Sequence, residues 1–303
     1  MRLGERVELI KKLARTLSEQ SWTDMNLVLR QAGLTTPNWS FDDIQDNDGR
    51  VEYIVRALET ATDDTLVELN DYLHSATHAT PRDEPWEPGM FRLFVTHLAK
   101  HRALAAYLKN RVGVYGIDAF VAHDDIEPTK KWQQVIESAL VSCDALLAIL
   151  HVGFKESNWC DQEVGYVLGR NVPVIPLSYD LQPYGFLGVV QSLAASRYPV
   201  RQGMEATHPV PAPLVSEIVR LLLREPRVGA TLTEHMVDAL VHSWNWDQSN
   251  SIAPLLASDA PIFTADHLRR LREAQSSNYE VSQAFEVEPA LQKLISRFGL
   301  VST

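Results

Sequence analysis

The stretch Phe154-Lys155-Glu156-Ser157-Asn158-Trp159-Cys160-Asp161-Gln162-Glu163-Val164-Gly165 holds the residue types best suited to chemistry. It sets one carboxylate, Glu163, inside the start of an expected helix, close to an indole and a thiol. Apolar runs read as strands on both sides, Ala145–Leu150 before it and Val172–Leu177 after it. A single acid at the rim of a parallel sheet can stabilise a ribosyl cation, which makes glycosidic cleavage of a nucleotide the leading chemistry. The competing reading of Glu163 is an acid in an early helical turn that interacts favourably with the helix dipole. Cys160 reads as a small buried filler, because a cysteine nucleophile needs a base and an orienting group, and no such trio is evident. Ser157 or Asn158 can cap the helix, and Asn158 with Asp161 forms a partial capping box. Trp159 could stack on a ligand ring, but its size favours packing beneath the helix.

The elements that would position these residues follow from hydrophobic periodicity. From Met90 onward strands alternate with helices. The strands are Phe91–Val95, Ile117–Ala122, Ala145–Leu150 and Val172–Leu177; the helices between them are His101–Val112, Trp132–Leu140 and Gln162–Leu168. Near-continuous apolar strands in such an alternation predict an α/β fold whose parallel sheet is covered on both faces. Right-handed crossovers follow, with ligands beyond the carboxyl ends of the strands. Residues 1–80 read as short helices, including Trp22–Leu29 and one that Asp63 or Asp64 could cap. A polar, proline-rich stretch ends that region, so residues 81–89 read as a linker, with the sheet domain over 90–205. Residues 206–303 read as helical at Pro211–Leu222, Leu232–Val241, Ala265–Ala274 and Val287–Phe298. That tail either forms its own small domain or packs on the sheet.

The ordered landmarks carry a family resemblance. Phe91-Arg92-Leu93-Phe94-Val95-Thr96-His97 and Gly116-Ile117-Asp118-Ala119-Phe120-Val121-Ala122 look like the first two strands of a TIR domain, the Toll/interleukin-1 receptor fold. His123-Asp124-Asp125-Ile126-Glu127-Pro128-Thr129 matches the BB loop of that family. Ser157–Glu163 resembles its tryptophan-cysteine segment with a trailing glutamate, and Asn171–Pro176 its fourth strand. The likeness implies a flavodoxin-like domain flanked by two all-α regions. Many bacterial and plant members cleave NAD+ and release nicotinamide, with the glutamate matching Glu163 as the catalytic group; others only associate with partners. On that resemblance, substrate contacts fall to Thr96, His97, Lys100, Phe120, Trp132, Trp159, Cys160 and Tyr184, and the BB loop residues to His123, Asp124, Asp125, Ile126, Glu127 and Pro128. It also implies self-association through the TIR domain, with a neighbour's BB loop helping to complete the pocket, and a role in bacterial antiviral defence or stress signalling.

The chemistry suits one acid. Nicotinamide in NAD+ is a cationic leaving group that departs neutral, so it needs no general acid. Sugar hydrolysis, by contrast, uses two carboxylates. Glu163 would hold the ribose hydroxyls and stabilise the oxocarbenium-like carbon. With no Gly-rich dinucleotide fingerprint and no phosphate-loop lysine motif, NAD+ is expected as a consumed substrate, with no cofactor. His97, His101 and His123 form no recognised zinc spacing, so no metal is expected. The rival to the hydrolase is a scaffold or adaptor that only binds other TIR domains; a third reading gives a cyclic nucleotide product.

Bulk properties set outer limits. The chain of 303 residues is 45% hydrophobic with a formal net charge of -11, which disfavours a broad nucleic-acid surface. Residues 1–80 hold 14 Asp and Glu against 8 Lys and Arg, a net of -6, so this region is either a solvated acidic face or a docking face for a basic protein partner. Two cysteines, no membrane-length apolar run and no secretory-like opening together point to a reducing cytoplasm.

Overall fold

The computed structural model describes residues 1–18, 25, 28–30, 32–34, 47–77, 85–121, 130–190, 192–200 and 210–300. The chain divides into two compact units, Met1–Asp83 and Glu84–Thr303. In the first unit, α1 (Leu3–Ser18), α2 (Asn47–Glu59) and α3 (Asp63–Thr77) bury one side each. Ile10, Leu13 and Leu17 of α1 meet Ile54 and Leu58 of α2 and Leu66, Leu69 and Leu73 of α3 in one core. Helical spacing of these side chains produces that stripe. The start of α3 departs from expectation: the Thr62 hydroxyl accepts from the Thr65 amide at 3.1 Å and supplies the cap, while Asp63 pairs with Arg6. Most of the expected helix Trp22–Leu29 lies outside the described residues, as does the linker stretch 78–84.

The second unit is built on a parallel sheet with strands β1 (Phe91–Thr96), β2 (Ile117–Val121), β3 (Ala145–Leu150), β4 (Val174–Ser178) and β5 (Leu193–Ala194). Their order is β2-β1-β3-β4-β5. The connecting helices are α4 (Arg102–Gly113), α5 (Lys130–Ser142) and α6 (Asn158–Gly169). This is the flavodoxin-like arrangement expected of the sheet region. The chain steps one way from β1 to β2 and the other way from β3 to β4, so right-handed crossovers place α4 and α6 on opposite faces. Strand side chains agree. Phe94, Phe120, Leu146, Ala148 and Leu150 share one cluster with Ala139 of α5, Cys143 just after it, and Cys160, Val164 and Val167 of α6. Their strand neighbours Leu93, Val95, Leu147 and Ile149 are equally buried and, by strand alternation, face the α4 side.

The fourth strand begins at Val174, not at Val172. The end of α6 explains the shift. The Asn171 amide donates to the Leu168 carbonyl and the Val172 amide to that of Val167, with Asn171 at a φ of 59°. This Schellman closure holds residues 171 and 172, and Pro173 has no amide to offer a ladder.

Beyond the sheet lie α7 (Ala212–Arg224), α8 (Gly229–Val241), α9 (Trp246–Asp259), α10 (Ala265–Ser277), α11 (Tyr279–Ser282) and α12 (Val287–Phe298). Sequence periodicity missed α9, because Pro254 interrupts it; Asn245 caps it by accepting from the Gln248 amide at 2.7 Å. These helices pack on the sheet: α8 contacts β1 and β2, and α7 contacts α4. They hold the amino ends of the strands. His235 donates to the Gly89 carbonyl at 2.8 Å, Gln248 to that of Val114 at 2.9 Å, and Arg227 to that of Asn171 at 2.9 Å. Among the described residues, no helix is long and apolar enough to cross a membrane.

Gly116 is where this contact is tightest. Its φ is +75°, and a Cβ there would meet the His235 carbonyl oxygen at 2.6 Å. Gly116→Ala should therefore destabilise the chain by about 2–4 kcal/mol, from left-handed backbone strain plus overpacking, as read by urea denaturation. By circular dichroism, residues 84–303 should melt in a cooperative thermal transition that a fragment of residues 84–209 lacks, because β1, β2 and α4 lose their cover.

Candidate functional site

Glu163 lies on α6, near the carboxyl ends of the strands, and is only 7% exposed. Ser157 is the N-cap of this helix, its hydroxyl accepting from the Cys160 amide at 3.4 Å. The expected Asn158–Asp161 capping box does not form, because Asn158 is already the first helical residue. Asp161 is the acid of the first turn and accepts a hydrogen bond from the Tyr184 hydroxyl at 2.5 Å. Counted from Asn158, Glu163 is the sixth helical residue, beyond the first turn where the dipole acts. The dipole reading thus applies to Asp161 and not to Glu163.

The first turn of α6 is fastened to the end of β1. Cys160 is buried, and its thiol donates to the His97 carbonyl at 3.5 Å. His97 is buried as well, its Nδ1 donating to the Val95 carbonyl at 3.5 Å. Beside it Thr96 ends β1 on the α6 face; its hydroxyl is buried with no hydrogen-bond partner, a polar group in want of a ligand or a water. The structure therefore brings Thr96, His97 and Cys160 together at the junction of β1 and α6.

Other expected contacts fall elsewhere. Phe120 packs in the core, with ring centroids 5.4 Å from Phe94 and 6.0 Å from Trp86. Lys100 is exposed and donates to the Val152 carbonyl at 3.2 Å. The Tyr184 hydroxyl is engaged by Asp161; burial first, then that hydrogen bond, pushes its pKa up. Trp159 departs from the packing expectation: it is 49% exposed, because the aliphatic contacts beneath α6 are made by Val164 and Val167 instead. It stands four residues before Glu163, so both rise from the same side of the helix. Trp132 lies within α5, but its side chain is outside the described part. His123, Asp124, Asp125, Ile126, Glu127 and Pro128 also lie outside the described residues.

The matching strand order, crossovers and glutamate-bearing helix agree with the comparison to known families, in which residues 93–206 match the TIR domain model. This segment is a TIR domain. A probable 2′ cyclic ADP-D-ribose synthase of Brachypodium distachyon is 24% identical over 117 residues, covering 38% of this chain. The chain spans about half the length of that curated relative, 52%. No solved structure matches the chain.

A group of rings at the same edge of the TIR sheet escaped the sequence reading. His101, His151 and Tyr179 stack on one another, with His151 and Tyr179 the first residues after β3 and β4. A polar or aromatic residue directly after the apolar strands β3 and β4 was the available signal. The Ser157 cap sets where α6 begins, and with it the height of Glu163. Ser157→Ala should cost about 1 kcal/mol in urea unfolding, whereas Asn158→Ala should change stability by no more than about 0.5 kcal/mol.

Proposed function

We propose that this protein cleaves the bond between nicotinamide and ribose in NAD+, releasing nicotinamide with ADP-ribose or a cyclic product. The observation that carries the reading is Glu163 on α6 of a TIR domain, one helical turn beyond Trp159 and beside the β1–α6 junction. The plant relative, named a probable 2′ cyclic ADP-D-ribose synthase, supports chemistry at the same class of bond. In this reading Glu163 orients the ribose hydroxyls and stabilises positive charge at the ribose carbon as nicotinamide leaves. The half-exposed Trp159 indole offers a stacking face for a base, and the unpartnered Thr96 hydroxyl a polar contact at the rim. His97 and Cys160 frame the same region. Cys160 positions the end of β1 and attacks nothing, since its thiol is buried and bonded to the His97 carbonyl.

The cellular setting we propose is a cytoplasmic antiviral or stress response in which the domain acts after self-association. Its neighbour would contribute the BB loop, residues 123–128. The acidic region 1–80 would receive a protein partner.

A second reading, an adaptor without turnover, is favoured by the burial of Glu163: at 7% exposure its carboxylate meets a ribose only after the surrounding residues move. Chromatography of NAD+, nicotinamide and ADP-ribose species, with the full chain at rising concentration, separates the two. Nicotinamide should appear in step with NAD+ loss. Glu163→Gln should keep the fold and lower turnover by about 10²–10³-fold. Turnover within about twofold of the native chain would overturn the assignment.

A further inference from the structure

Three carboxyl-end turns meet on the α4 face of the sheet, and the rings they bring together there are outside the set of residues assigned to NAD+. His101 closes the turn after β1, in the 3-10 segment Ala99–His101. His151 directly follows β3, and Tyr179 directly follows β4. By strand alternation, His151 continues the side of Ile149 and Tyr179 that of Leu177, away from α6. The three rings form one column. The His101 and His151 centroids are 3.6 Å apart at 14°, and the His151 and Tyr179 centroids 4.6 Å apart at 18°.

Hydrogen bonds tie the same turns around Val152. Its amide donates to Asp180 at 2.7 Å, and its carbonyl accepts from Lys100 at 3.2 Å. His151 Nδ1 lies 3.1 Å from the same Asp180 oxygen. Burial would raise the Asp180 carboxyl, but the bonds from Val152 and His151 together hold it below the usual carboxylate range, so it stays ionised and accepts. His151 Nδ1 therefore carries a hydrogen. In the neutral ring Nε2 is then a bare acceptor; it is buried and without a hydrogen-bond partner, and so are His101 Nε2 and the Tyr179 hydroxyl, whichever role each would take.

We propose that this column is a proton-sensitive latch, closed while the His101 imidazole is neutral and opened when it becomes charged. A charge on His101 would lie stacked on His151 at van der Waals distance, while Asp180 is engaged by His151 and Val152. The groups facing His101 confirm the direction. Burial lowers its pKa first; His151, Lys100 and His97 lower it further, and only Asp180 opposes them. Tyr179 stays neutral throughout, since burial pushes its phenol up to about 12. The sign follows from linkage. A histidine with a depressed folded pKa adds stability that is present above its unfolded value of about 6.5, and that stability is lost as the pH falls from there through the folded value. Opening would free the turn after β1, which carries His97 and Lys100, and so give the candidate site an acid-sensitive rim. The latch itself does not depend on NAD+ chemistry.

Hydrogen exchange of the Val152 amide in the full chain tests it, after correction for intrinsic exchange rates. Protection should fall by about tenfold or more between pH 7.5 and 5 in the native chain, and by no more than about twofold in His101→Phe, which keeps the ring and removes the charge. Equal losses in the two proteins would overturn the proposal. Imidazole NMR of the native chain gives a second reading without any variant. His101 should titrate below the usual histidine value of about 6.5. Titration of His101 at about 6.5 or above, with Val152 still protected, would also overturn it.

Discussion

The reversal of chain direction between β1 and β3 is the constraint on which the site depends. Right-handed crossovers then force α4 and α6 to opposite faces and open a crevice at the carboxyl ends of the two central strands. Glu163 and Trp159 are placed by how α6 enters that crevice. Its start is set by the Ser157 cap, and its lateral position by the Cys160 thiol bonded to the end of β1. Asp161 adds a third tie, to Tyr184 beyond β4. The helix that carries Glu163 is thus fastened to the chain on both sides of β3. In the proposed reaction a carboxylate facing a developing cation would benefit from that rigidity, since preorganised charge does not have to reorganise as the reaction proceeds.

The sheet was legible because its strands are buried on both faces. Ala145–Leu150 is apolar at every position, and the structure matches it residue for residue. Periodicity failed where local backbone chemistry overrode hydrophobic content. Val172 is apolar, yet a helix-closing motif claims it before the strand can. The helix Trp246–Asp259 was invisible because Pro254 breaks its pattern; the Asn245 cap, and burial of Ile252, Leu255 and Leu256 on a shared side, still hold it together. The tail as a whole could not be assigned to a partner from sequence, because a buried stripe such as Leu214, Val215, Ile218 and Leu222 shows that a helix is covered but not by what.

Within the candidate site, residue types were easier to read than environments. Cys160 was expected as a buried filler and is one, with the added role of joining two elements. Trp159 reversed its expectation, since the space beneath α6 is already filled by Val164 and Val167. Phe120, placed at the substrate by resemblance, stacks inside the core with Phe94. No pattern along a single strand reveals that three rings from three separate turns will lie in register; only the strand order brings residues 101, 151 and 179 into one column.

The clasp at Gly89 has an architectural consequence. The chain enters the TIR sheet at its amino edge, and His235 bonds the backbone there, two residues before β1 begins. A strand of five or six residues separates that point from the rim, roughly 16–20 Å of hydrogen-bonded, doubly covered sheet. A tug on the connection would therefore be borne by the α8 contacts before it reached the crevice. The point where the chain enters this unit and the carboxyl-end rim are mechanically insulated from each other.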